Sequence, residues 1–330
     1  MSDRRLGLLR PALGYLVAAA CLVWVFHDIR PGRLFADFAR IRWGLVALGI
    51  ACDVMSYVCQ GIRWHFLLEP IGRVPVLRTT QATYAGLFIN ELLPMRIGEP
   101  ARAFLVSRWI RVPFVKVIPS MALERLFEGV WLAAGIGVTA LFVPLPGNLM
   151  KSADVFGAAV IILTAAFVVY VFRQPKAVLA TPPRPGWRGK VRAALRGLGD
   201  GFREIGLARH TYLAFAVSLA LFVFQALSFW LILTGYGIRE TFWIGAAVFL
   251  IIHFGTALPN APANVGSYQF FCVLGLTLFG VDKTRATGFS VVVFILLTLP
   301  LLLLGALALA KSGATLSSLR KEVRGLAVRP

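Results

Sequence analysis

At 330 residues the chain is 58% hydrophobic and only 15% charged, with a mean hydropathy of +0.77, whereas soluble domains carry about 25% charged residues. That balance excludes a soluble fold and makes a membrane the solvent. The net charge of +19 comes from basic residues gathered in loops and towards the C-terminus; they do not alternate with aromatics along a groove, which excludes nucleic acid as a partner and points to anionic lipid surfaces.

A spanning helix needs about 20 mostly apolar residues. Runs at about 11–27, 43–62, 115–142, 153–172, 211–236 and 286–310 meet that need, and they predict an all-α, polytopic transmembrane helix bundle. The first run follows Arg4, Arg5 and Arg10 in the manner of a signal peptide, but no small-x-small cleavage site precedes a soluble domain, so it reads as an uncleaved span. The second carries Asp53 in its middle.

Two further apolar regions are broken. The first, about 79–112, is interrupted from Pro94 to Pro100; the second, about 241–281, is interrupted by Pro259, Asn260, Pro262, Asn264 and Gly266. Proline removes a backbone donor and stops a helix, and glycine frees the turn, so each region reads as half-helix, loop, half-helix. Cys21, Cys52, Cys59 and Cys272 lie scattered inside apolar runs without CxxC spacing or a neighbouring histidine pair, so no metal site and no cofactor is expected.

Orientation follows lysine and arginine. The loop at about 173–210 holds Arg173, Lys176, Arg184, Arg188, Lys190, Arg192, Arg196, Arg203 and Arg209, and the tail at 311–330 holds Lys311, Arg320, Lys321, Arg324 and Arg329. Both are expected in the cytoplasm, with both chain termini, although Arg30, Arg33, Arg40 and Arg42 then face outward against the rule. Within the loop, Val191, Leu195, Leu198, Phe202 and Ile205 have the spacing of a helix lying on the membrane surface. The whole chain is read as one integral membrane domain, with repeat one at about 43–142 and repeat two at about 211–310. If both broken regions are re-entrant hairpins, they enter from opposite faces and the repeats are inverted, the design that places a transport site near the midplane. Eight full spans plus one hairpin also keep both termini inside.

Chemistry gathers at the first break. Glu91, Arg96, Glu99 and Arg102 surround it, and the next span adds Glu124, Arg125 and Glu128. A charge at the bilayer centre costs roughly 2.5–3.5 kcal/mol on insertion scales, so these groups must pair or meet water. One reading is a structural ion-pair network pinning the hairpin to the span at 115–142; the other is a chamber in which arginine forks hold an anionic headgroup. For Asp53, pairing with one of these arginines stands beside a proton- or ion-coupling role, for which Glu128 is the second candidate. The second break offers backbone amides with Asn260, Asn264 and Gln269, which together with Asn90 can meet a polar group without burying charge. Arg63, Trp64 and Tyr84 fall near the expected membrane boundaries and read as interfacial anchors. No HExxH, GxSxG or Walker A motif occurs, and His27, His65, His210 and His253 stand apart in sequence, so no enzyme is expected.

Arg63-Trp64, Tyr84, Gly86, Asn90, then Pro94-x-Arg96-x-Gly98-Glu99-x-x-Arg102, Glu124-Arg125 and the stretch from Pro259 to Gln269 resemble the flippase-like transmembrane domain family. That family comprises the membrane half of lysylphosphatidylglycerol synthases and related stand-alone membrane proteins, and the resemblance runs over about residues 11–312. It implies a polytopic inner-membrane protein that moves or presents a lipid. The soluble aminoacylating half of the two-domain relatives is expected to be absent. Where many relatives carry glutamate, this chain has Gln269, which argues against a proton-linked role there. A subgroup associated with hopanoid biosynthesis shares the layout, and no residue decides membership.

The expected function is therefore a lipid flippase or transporter that moves a polar-headgroup lipid, anionic or isoprenoid-type, across the inner membrane, in which Arg96, Arg102 and Arg125 attract the headgroup while Glu99 and Glu124 hold them between turnovers. Two other readings stand beside it. One is a non-transporting scaffold that recruits a lipid-modifying enzyme or glycosyltransferase through the basic loop; the other is a membrane-embedded polyprenyl-linked transferase with Glu99 or Asp53 as base.

Overall fold

A computed structural model describes residues 15–27, 40–93, 96–144, 147–173, 201–256 and 261–313, and these are helical with no strand among them. The N-terminal arginines, Pro94, Asn260, residues 191–200 of the proposed surface helix and most of the basic tail lie outside the described residues; the rest of that helix, 201–205, is helical, with Ile205 buried in the bundle core instead of lying on a surface. Ten α-helices are named here: α1 Tyr15–Phe26, α2 Trp43–Leu68, α3 Val76–Leu92, α4 Gly98–Trp109, α5 Phe114–Ala140, α6 Gly147–Arg173, α7 Arg209–Tyr236, α8 Phe242–Thr256, α9 Ser267–Leu278 and α10 Lys283–Ala310. Within the described residues the expected runs all form helices, and α2 extends six residues beyond the expected 62.

Helices α2, α7 and α10, with 26, 28 and 28 residues, are long and apolar enough to cross a membrane; at about 1.5 Å per residue each outreaches a hydrocarbon core of about 30 Å. Helix α5 has 27 residues but carries Glu124, Arg125 and Glu128 along its middle.

Both breaks form where the sequence places proline and glycine. At the first, α3 ends at Leu92, Leu93 turns extended, and Arg96 adopts a left-handed φ of 53° before α4 starts at Gly98. The side chain of Asn90 accepts a hydrogen bond from the Gly98 amide at 2.7 Å, so a residue before the break caps the helix after it. A Cβ on Gly98 would collide with the Gly86 carbonyl of α3, which is why the two half-helices meet through glycine. At the second break a 3-10 turn, Pro262–Asn264, contains Ala263 and Asn264 at φ 56° and 53°. Gly266 follows at φ 85°, and its amide donates to Gln269 Oε1 at 2.7 Å to open α9.

Helices α2 and α7 share the most extensive packing and form the spine of the bundle. Around them the packings repeat. Contacts of α2 with α3, α3 with α4, and α4 with α5 are matched by α7 with α8, α8 with α9, and α9 with α10. Likewise α10 lies on α3 as α5 lies on α8, and α10 meets α2 as α5 meets α7. Helix α6 packs on α5, and α1 meets α10 through Thr287 Oγ1, which donates to the Val25 carbonyl at 3.3 Å. Each of these helix–helix packings in the first half thus has a counterpart in the second when the helix number is raised by five.

Candidate functional site

The first break, α2 and α5 carry a continuous chain of ion pairs. Glu124, fully buried, accepts from Arg63 of α2 at 3.0 Å and from Arg102 of α4. Arg63, also fully buried, reaches on to Glu128 at 2.8 Å. Glu128 in turn holds Arg125 at 2.6 Å, and Arg125 holds Glu99 of α4 at 3.0 Å. The Arg102 guanidinium lies 4.5 Å from the centre of the Trp64 ring, whose Nε1 donates to Ser120 Oγ at 3.0 Å. Three arginines and three glutamates therefore neutralise one another and tie α2, α4 and α5 into one body. This is the pinning network expected from the sequence, with α2 added to it.

Beside the network lies a cavity of about 690 Å³. Its wall includes Asn90, Arg96, Glu99 and Arg102 from the first break, Ala263 and Asn264 from the second, and Arg125 and Glu128 from α5. Asp53, Leu221, Gln225 and Thr298 join them from the middles of α2, α7 and α10, so the cavity lies at mid-depth of the long helices. Phe222, Phe229, Phe249 and Leu297 add apolar surface to the lining. The two breaks face each other across this space: α3 packs on the 3-10 turn, and Arg96 Nη2 donates to the Thr256 carbonyl at the end of α8, at 3.0 Å. Arg102 Nη1 and Thr83 Oγ1 are buried without a hydrogen-bond partner, and both side chains belong to wall residues.

Several sequence expectations change. Arg63 and Trp64 are not interfacial anchors; both are fully buried in the ion-pair network. Reading the span to 62 put them at a membrane boundary, whereas α2 runs to Leu68 and keeps them inside the bundle. Tyr84 is likewise buried, its hydroxyl donating to the Val54 carbonyl at 3.3 Å. Asp53 has no arginine partner among the described residues and faces the cavity instead. Glu128, the other coupling candidate, is held between two arginines. Glu124 and Gln269 stand off the cavity wall: one sits behind the arginines, and the other is spent on the Gly266 amide. Asn260 lies outside the described residues. Sequence reasoning missed Tyr57 and Gln60 on the wall; with Asp53 they stand at i, i+4 and i+7, a polar stripe along α2 that could have shown them. Among the described residues no cluster of His, Cys, Asp or Glu could hold a metal ion.

Membrane-length helices, two facing breaks and a charged cavity at mid-depth define a multi-pass membrane protein. The profile of the family described as the lysylphosphatidylglycerol synthase TM region matches residues 12–305, and the chain belongs to that family. Among its relatives is a UPF0104 membrane protein of Methanothermobacter thermautotrophicus, 21% identical over 85% of this chain and 86% of the other. A glycosyltransferase, AglD, of Haloferax volcanii is 26% identical over 44% of this chain, and that match takes up 24% of AglD.

Proposed function

We propose that this chain carries a lipid with a polar, anionic headgroup across the inner membrane, with both termini in the cytoplasm and no catalysis of its own. The observation that carries the reading is the cavity at the two breaks, lined by both arginines and phenyl rings. The headgroup sits against Arg96, Arg125 and the unpartnered Nη1 of Arg102, and the tails remain in lipid. Arginine at such a site gives forked, charge-assisted hydrogen bonds to phosphate oxygens. The duplicated packing of α1–α5 and α6–α10 supports two inverted repeats that rock against each other around a fixed site.

The test is movement of fluorescent anionic and zwitterionic phospholipids in proteoliposomes. Arg96→Ala is expected to slow anionic lipid movement about tenfold or more, the effect of losing one charge-assisted hydrogen bond; undiminished movement would remove Arg96 from the site. The partial match to a protein named as a glycosyltransferase favours one second reading, a scaffold that recruits such an enzyme through the loop at 173–210. A stable enzyme partner on purification, with no lipid movement by the chain alone, would select it.

A further inference from the structure

The charges on the cavity wall do not cancel. Arg63, Arg102 and Arg125 are matched by Glu99, Glu124 and Glu128 within the ion-pair network. What remains on the wall, among the described residues, is Arg96 against Asp53 and Glu91, one negative charge in excess when all three are ionised. Asp53 lies in the middle of α2, is only 6% exposed, and its carboxylate makes no hydrogen bond or ion pair with a described residue. Thr83 Oγ1, buried on the same wall, is also without a partner. The ionisable groups that face Asp53 are Cys52 and Tyr57 on its own helix, Tyr84 on α3 and Tyr268 on α9, while Glu91 of α3 stands on the same cavity wall. None of these is a cation. Of the other helices packed on α2, α7 and α10 bring only the neutral polar Gln225 and Thr298 to the wall, while α5 brings Arg125 and Glu128, already bound to each other. On the remaining walls stand Arg96, held by the Thr256 carbonyl, and His253 of α8.

A phosphate headgroup entering here adds a second uncompensated negative charge inside the low-dielectric bundle, where like charges repel far more strongly than in water. Arginine alone does not offset it, because three of the four arginines near the cavity already hold carboxylates. We infer that an anionic headgroup enters this cavity together with one proton, taken from water by one of the two unpaired wall carboxylates, Asp53 or Glu91, so that lipid movement and proton movement are a single event. This rests on the lipid reading above and adds its energy source. The proton converts one carboxylate to its neutral acid, with no other bond made or broken, and returns to water when the headgroup leaves on the opposite face. Linkage then fixes the sign: lowering the pH tightens anionic-headgroup binding, by about tenfold per pH unit where one whole proton is taken up.

The experiment uses the detergent-purified full chain in weakly buffered solution with a pH-indicator dye. Dioctanoyl phosphatidylglycerol is the anionic probe and dioctanoyl phosphatidylcholine the zwitterionic control. About one proton is expected to disappear from solution per phosphatidylglycerol bound, and none with phosphatidylcholine. Asp53→Asn is expected to bind phosphatidylglycerol with an affinity that no longer changes with pH, and Asp53→Glu to restore the uptake. Phosphatidylglycerol binding to the wild type without proton uptake overturns the inference and leaves the lipid reading standing. Full uptake surviving in both Asp53→Asn and Glu91→Gln does the same. If neither phospholipid binds the folded wild type, the lipid reading itself fails and takes this inference with it.

Discussion

Helices α2–α5 and α7–α10 adopt the same set of packings with opposite chemistry. The first half is joined by buried arginines and glutamates. In the second, edge-to-face aromatic pairs do that work: Phe229 and Tyr236 of α7 each meet Phe289 of α10, with ring centres 5.4 and 5.6 Å apart, and Phe222 meets Phe249 of α8 at 5.4 Å. Because an apolar half reaches the same arrangement, the fold does not require the charges. Each costs roughly 2.5–3.5 kcal/mol at the bilayer centre on insertion scales. On the proposed lipid reading, their presence on one side only follows from what that side must bind; they border the cavity, and Phe222, Phe229 and Phe249 of the aromatic pairs also line it.

This contrast can be broken most severely at Glu124. Replacing it with alanine strands Arg63 and Arg102 as buried cations, and a loss of about 3–5 kcal/mol is expected, read as a collapsed melting temperature or loss of the monodisperse species in detergent. Phe229→Leu in the second half should cost much less, roughly 1 kcal/mol, the value of an aromatic pair; equal losses would mean that the two halves are held alike. Between these lies Gly98→Ala, which pushes α4 off α3 at the Gly86 carbonyl and is expected to destabilise by about 1–3 kcal/mol, as overpacking does; on the proposed lipid reading it also slows lipid movement in proteoliposomes by displacing Glu99 and Arg102. The smallest effect belongs to Gln269→Glu: a carboxylate oxygen replaces the amide oxygen that caps Gly266, so the melting temperature should barely move, whereas Gln269→Leu loses the acceptor and should cost about 1–3 kcal/mol.

The helices and both breaks were legible in the sequence because apolar runs and proline act over short distances along the chain. Arg96, Glu99 and Arg102 were legible for the same reason, as charges at a proline break. The pairing was not: Arg63 meets Glu124 and Glu128 at sequence separations of 61 and 65 residues, and no local pattern on α2 announces partners on α5. Nor could residue type alone separate Asn264, which reaches the cavity wall, from Gln269, which is consumed by a backbone amide one turn away. An amide side chain near a turn serves either end equally well until the turn has a shape.

Arg96 joins the two halves of the molecule. It sits in a strained left-handed conformation between α3 and α4, and its hydrogen bond crosses to the final carbonyl of α8. On the proposed lipid reading, a phosphate that captures this guanidinium unfastens one half from the other, so the group that greets the cargo is also the clasp across the seam. Loading and loosening then become the same act.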